Sequence, residues 1–184
     1  MQRSLEHALD EYLVLLAQAG NRDAFARLVA RWSPRLLAFA ARSTGNAEAA
    51  RDAVQDAWES ALRGLGRLED PARFPAWIFA IAARKCTDTL RAKYRGQRLS
   101  AAAEDGAALE TRATPDVDAQ LDLATALKRL PAEQRVAVAL LYGEDMSVAE
   151  IAAITGVPPG TVKSRLSAAR HALRAHMEEG ESND

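Results

Sequence analysis

Apolar residues recur three and four positions apart along most of this chain, the spacing of a helix with one buried face. Leu5 to Ala19 follows that rhythm and stops at Gly20, which can take the left-handed conformation at a helix end. Asn21 is placed to cap a second helix with Phe25, Leu28, Val29 and Trp32 on one side. Ser33 and Pro34 then supply a cap and a first-turn proline, and predict a third helix through Leu36, Leu37 and Ala40. Asn46 caps a fourth, Ala47 to about Gly64, with Ala50, Val54, Ala57, Trp58, Ala61 and Leu65 facing inward. Gly66 and Asp70-Pro71 break the rhythm between Gly64 and Phe74, which reads as a loop. Pro75 opens a long helix carrying Trp77, Ile78, Ile81 and Leu90. The period returns from Asp116 through Leu123, Leu127 and Leu130. Pro131 restarts it with Val136, Val138, Leu140 and Leu141, and Gly143 ends it. Long β-rich runs are absent, so the fold class is all-α.

The stretch from Ser147 to His176 is the most informative. Ser147 and Glu150 have the spacing of a capping box. Ala152 is small enough for two helices to touch, Gly156 suits the turn, and Val162 locks the second helix down. Pro158 and Pro159 fit that helix's first turn, where a missing amide costs nothing. Val162, Leu166, Ala169, Leu173 and Met177 form one apolar stripe. Ser164, Ser167, Ala168 and His171 lie opposite, flanked by Lys163, Arg165, Arg170 and Arg174, and no acidic residue falls between Ile151 and Met177. This is a helix-turn-helix whose second helix has short polar side chains outward, suited to a major groove.

Charge divides the rest of the chain. The fourth helix carries Glu48, Asp52, Gln55, Asp56 and Glu59 at helical spacing, which on an isolated helix would be a solvated surface. From Arg84 to Arg98 there are six cations against one acid, Asp88, with Tyr94 interleaved, a density that suits a phosphate backbone. Between Leu99 and Gln120, Ala, Thr and Gly dominate. There Glu104, Asp105, Glu110, Asp116 and Asp118 face only Arg112, and Pro115 interrupts any period. That stretch predicts a flexible acidic linker between two small helical domains.

A length of 184 residues fits that division, and the net charge of −1 conceals the segregation of sign. Cys86 is the single cysteine, which excludes an internal disulfide and fits a reducing cytosol. The longest strongly apolar run, Ala76 to Ala83, is too short to span a bilayer, and the start does not read as a signal peptide. A soluble cytoplasmic protein is expected, without membrane insertion. His7, His171 and His176 share no metal-ligand spacing with Cys86, and there is no glycine-rich phosphate loop. Neither an enzyme, a cofactor, a metal nor a small-molecule substrate is expected.

Four segments carry a family resemblance. GTVKSRLSAARHAL, Gly160 to Leu173, resembles the final helix of bacterial sigma factors, the extracytoplasmic-function (ECF) group in particular. LKRLPAEQRVAVALLYGEDMS resembles the segment that precedes it in those proteins. AEAARDAVQDAW resembles the segment that docks on the clamp helices of core RNA polymerase. WIFAIAARKCTDTLR resembles the helix that recognises and helps open the −10 element; Trp77, Ile81, Ala82, Asp88 and Arg91 match its pattern. A cation stands where asparagine is common there, so the −10 base preference is not carried over.

The resemblance, from about Gly20 to Met177, implies a polymerase- and promoter-binding domain over residues 1–98, a linker over 99–115 and a −35-reading domain over 116–184. It implies docking on polymerase through Asp52, Gln55, Asp56 and Glu59, a charged face that would set register and association rate. It places Trp77, Arg84, Lys85, Asp88, Arg91, Lys93 and Arg95 at the −10 element, with the Gly66 to Phe74 loop helping to take bases out of the stack. At the −35 element it places Lys163, Ser164 and Ser167 on bases, Thr161, Arg165 and Arg170 on phosphates, and His171 alongside. The partners it implies are core RNA polymerase, promoter DNA and an anti-sigma factor. The competing reading is a sigma-like decoy that binds an anti-sigma factor without touching DNA.

The composition break generates a test. Brief protease treatment is expected to cut between Leu99 and Gln120, and mass spectrometry of the products should find two helical fragments.

Overall fold

The computed structural model describes residues 2–103 and 119–181. Among these, the regular structure consists of helices: α1 (Gln2–Gln18), α2 (Arg22–Thr44), α3 (Ala47–Gly64), α4 (Phe74–Ala103), α5 (Ala119–Arg129), α6 (Ala132–Gly143), α7 (Val148–Thr155) and α8 (Pro159–Glu181). Two single 3-10 turns, Leu65–Arg67 and Pro71–Arg73, lie between α3 and α4. The architecture is all-α, in two helical domains, α1–α4 and α5–α8.

Helix boundaries follow the caps, with one exception. The Asn21 side chain accepts the Ala24 amide at 3.0 Å, and the Asn46 side chain accepts the Ala49 amide at 2.8 Å. Ser33-Pro34 does not start a helix; α2 runs through it unbroken. A mid-helix proline removes one backbone hydrogen bond and crowds the preceding turn, at a cost of about 3 kcal/mol. Burial on both sides of it offsets that cost. Trp32, Leu36 and Phe39 lie on one buried face of α2, and Trp32 meets Phe74 and Phe79 edge-on at 5.8 and 6.3 Å. Phe39 meets Phe79 at 5.5 Å. Ser33 is also turned to another use, because its Oγ accepts the Trp58 indole N–H at 3.0 Å. The expected third and fourth helices are therefore the second half of α2 and the whole of α3.

The long helix also outlasts its expected end. Helix α4 continues to Ala103, so the first five residues assigned to the linker, 99–103, are helical. The rest of the expected linker, and the start of the second domain at Asp116, lie outside the described residues.

The second domain folds around its turn. Ser147 and Glu150 form the reciprocal capping box, and Gly156 ends α7 at φ 68°. Val162, Leu166 and Ala169 are buried, as are Ile151 and Ile154 of α7, Val136 and Leu140 of α6, and Leu130 beside them. Both domains share one connected apolar core, because α6 packs on α2 and α4, and α7 packs on α4. Tyr94 of α4 reaches across, its hydroxyl lying 3.2 Å from the Lys128 carbonyl and 3.1 Å from that of Leu130.

A Cβ at Gly156 would meet nothing within 4 Å, so only the left-handed backbone requires glycine there. Gly156→Ala should therefore lower unfolding stability by about 1–2 kcal/mol, read by denaturant titration, without altering the packing of its neighbours.

Candidate nucleic-acid interface

Helix α8 offers one cationic face. Its inward stripe is consumed by Val162, Leu166 and Ala169, which turns Lys163, Ser164, Arg170 and His171 outward, all exposed. Thr161 and Ser167 are half-buried on the same helix. The Ser164 hydroxyl donates to the Gly160 carbonyl at 3.0 Å, which leaves its oxygen lone pairs to accept a donor from outside. Arg165 is half-buried, and its charge acts on Glu133 at the start of α6, so it is less available than its neighbours. His176, further along, has its Nδ1 3.2 Å from Arg129 Nη1 of α5.

Helix α4 arranges its expected DNA residues unevenly. Lys93 and Arg95 are exposed, and Arg84 lies 4.0 Å from the exposed Asp88. Lys85 is half-buried and 3.6 Å from Asp56 of α3, which ties the cationic helix to the acidic one. Trp77 is half-buried, its ring 6.1 Å from that of Phe74 and close enough to Gly64 that a Cβ there would lie 3.3 Å away. It forms the edge of the core beside the 3-10 turns. Those turns are pinned from α1 by Gln18, whose amide donates to the carbonyls of Leu65 at 2.9 Å and Leu68 at 2.7 Å. Arg91 points into the other domain, where its Nε and Nη2 donate to Glu133 Oε1 at 2.9 and 2.6 Å.

The acidic stripe of α3 is displayed as its spacing predicts. Asp52, Gln55, Asp56 and Glu59 are all exposed, with Gln55 Nε2 donating to Glu59 Oε1 at 3.4 Å. Cys86, by contrast, is buried in α4, and burial pushes its thiol up to about 12, so it carries no thiolate to react or to bind a metal at neutral pH.

One constellation has no counterpart among the sequence-based expectations. Glu144, in the connection from α6 to α7, is buried and accepts from Arg35 at 2.5 Å and from Arg42, both on α2. Those partners lie about a hundred positions away, beyond the reach of any local pattern.

Comparison with known proteins identifies both halves. The family described as Sigma-70 region 2 matches residues 28–96, and Sigma-70, region 4 matches residues 120–173. The chain is 37% identical to the RNA polymerase sigma factor CarQ of Myxococcus xanthus over 157 residues, which is 84% of this chain and 90% of that one. It is likewise 37% identical to the ECF RNA polymerase sigma factor SigM of Mycobacterium tuberculosis, covering 89% of this chain and 82% of the relative. Among solved structures, CnrH in complex with the cytosolic domain of CnrY is similar with a TM-score of 0.66 and 31% identity, over 93% of this chain and 98% of that one. The sigma factor RpoE of Bartonella quintana, in complex with the anti-sigma factor NepR, is similar with a TM-score of 0.63 and 28% identity, over 84% and 96%.

Glu133 makes the Arg91 contact measurable. Burial alone would raise its carboxyl, but its backbone hydrogen bond, the hydrogen bond and charge of Arg91 and the charge of Arg165 together hold it below the ordinary value of 4.5. A depressed carboxylate contributes stability that is present above that ordinary value and is lost as pH falls through the lower folded one. Arg91→Ala should therefore move the Glu133 titration midpoint upward, which carbon-13 NMR of the carboxylate can follow.

Proposed function

Because the chain belongs to the ECF group of RNA polymerase sigma factors, we propose that it binds core RNA polymerase and directs it to particular promoters. The observation that carries this reading is the outward face of α8: cations and small polar groups, with no carboxylate between Ile151 and Met177. A face of that kind seats in a major groove without repelling phosphate. On this reading α5–α8, within residues 116–184, forms the −35 domain, and residues 1–98 form the domain for polymerase and the −10 element.

The proposed residue roles are those that the resemblance to sigma factors implies. Lys163, Ser164 and Ser167 read base edges, while Thr161, Arg165 and Arg170 hold phosphates and His171 flanks them. Asp52, Gln55, Asp56 and Glu59 meet basic residues on polymerase. Arg84, Lys85, Asp88, Arg91, Lys93 and Arg95 line the −10 strand beside Trp77. The site of action is the cytoplasm, where polymerase works, and the chain itself catalyses no step. Among the described residues no helix is long and apolar enough to cross a membrane. Two similar solved proteins are captured in complexes, CnrH with the cytosolic domain of CnrY and RpoE with the anti-sigma factor NepR, so an anti-sigma factor is included among the proposed partners.

The test is transcription in vitro with core polymerase, on a panel of −35 variants at several salt concentrations. Lys163→Ala or Ser164→Ala should change which −35 sequence is preferred, at a cost of ~1–3 kcal/mol for the lost base contact. Arg170→Ala should weaken every promoter alike and reduce the salt slope by about one unit. No transcription from the unmutated protein with active core would favour a decoy for an anti-sigma factor. Transcription with an unchanged preference in both variants would reassign the base-reading residues.

A further inference from the structure

We propose that Gln18, at the end of α1, is a positioning residue for strand opening: it holds the connection between α3 and α4 in the shape that receives a base taken out of the −10 stack. The proposal rests on the promoter reading above and adds a residue to it. Helix α1 precedes residues 28–96, which match Sigma-70 region 2, so Gln18 lies outside the segment that carries the −10 resemblance.

The connection needs an external hold. In its two 3-10 turns the Leu68 amide donates to the Leu65 carbonyl, and the Arg73 amide to the Asp70 carbonyl, both at 3.0 Å. Hydrogen bonds of such turns are poorly aligned, and no longer ladder keeps them in register. Leu65 and Leu68 are buried anchors, whereas Gly66, Arg67, Glu69 and Arg73 are exposed. Gln18 bridges the two anchors. Its side-chain amide has two N–H bonds, and the one nitrogen lies 2.9 Å from the Leu65 carbonyl oxygen and 2.7 Å from that of Leu68. The separation of those carbonyls, and with it the path of Gly66 and Arg67 between them, is set from α1.

The clamp has a firm base. Asp10 of α1 accepts from Arg31 of α2 at 2.9 Å, and Leu13 and Val14 are buried in the core. Gly20, at φ 91°, turns the chain straight into the Asn21 cap of α2, so the last turn of α1 has one placement. On the far side, Phe74 is buried against Trp32, and the Trp77 ring lies against Gly64. Taking a base out of the stack is uphill. A receiving loop that first had to order itself would add its own conformational entropy to that step, and a loop fixed beforehand adds none. Both hydrogen bonds described for this amide go to the connection, so docking on core and reading of the −35 element proceed without it.

Two variants of the full chain test this. Gln18→Glu keeps the shape, removes both donors and sets a carboxylate against two carbonyl oxygens. Gln18→Met removes the donors without adding charge, and serves if the first variant unfolds, with thermal circular dichroism as the check. Holoenzyme made with core polymerase is mixed with a promoter carrying 2-aminopurine in the −10 element, whose fluorescence rises as the base unstacks. Both variants should bind core as the unmutated protein does, yet open the promoter roughly tenfold more slowly, the size expected for two neutral hydrogen bonds lost together. On a template already unpaired through the −10 element, all three proteins should transcribe alike. Hydrogen exchange should quicken at the Leu68 and Arg73 amides while those of α2 and α3 keep their rates. Opening at the unmutated rate in both variants would overturn the proposal, as would unchanged exchange at Leu68. So would a defect that persists in full on the unpaired template, since Gln18 would then serve the fold of the domain and not the opening step. An unmutated protein that opens no promoter with active core would count against the promoter reading and remove the positioning role with it; the exchange result would still report the clamp by itself.

Discussion

The architecture depends on α2 running straight through Pro34. Arg31, Arg35 and Arg42 fall on one face of that helix only if its winding is continuous from Arg22 to Thr44. Each then holds a carboxylate of another element: Arg31 takes the buried Asp10 of α1 at 2.9 Å, while Arg35 and Arg42 take Glu144 of the second domain. The adjoining face, about a quarter turn round the helix, carries Leu28, Trp32, Leu36 and Phe39 into the core. One helix is thus both the spine of the first domain and the seat of the second. A break at the proline would scatter the arginine row and dissolve both arrangements.

Legibility in the sequence followed the range of the interactions involved. The helix-turn-helix was readable because Ser147, Glu150, Gly156 and Val162 act within a few residues of one another. The acidic stripe of α3 was readable for the same reason, since one helical period places all its members. Ser33-Pro34 misled because it is a sound local start signal that long-range packing overrides. The Trp58 indole claims the serine, and the buried ring cluster holds the helix through the proline. Arg91 and Trp77 could be assigned to a helix expected to face DNA, but not that Glu133 engages one or that Phe74 and Gly64 embed the other. Those partners are set by topology, which no spacing encodes.

The near-zero net charge hides a division of labour. Carboxylates are displayed on α3 and cations on α8, so one helix of each domain presents an opposite sign to solvent. Several of the pairs of opposite sign join elements. Lys85 and Asp56 link α4 to α3, Arg91 and Glu133 link α4 to α6, and Glu144 links α6 to α2. Exposed pairs of this kind contribute little, and breaking the one with a buried carboxylate costs more because removing one partner strands the other away from water. The apolar interior supplies the cohesion, and the charges select which arrangement of helices it adopts.

All three tryptophans of the chain, Trp32, Trp58 and Trp77, lie in the first domain, and only Trp32 sits beneath a guanidinium whose partner belongs to the second. Its indole therefore occupies an electrostatic environment that depends on where the other half of the molecule is. Ultraviolet emission from this ring reports on the contact between Arg35 and Glu144, and can be followed in the unlabelled protein.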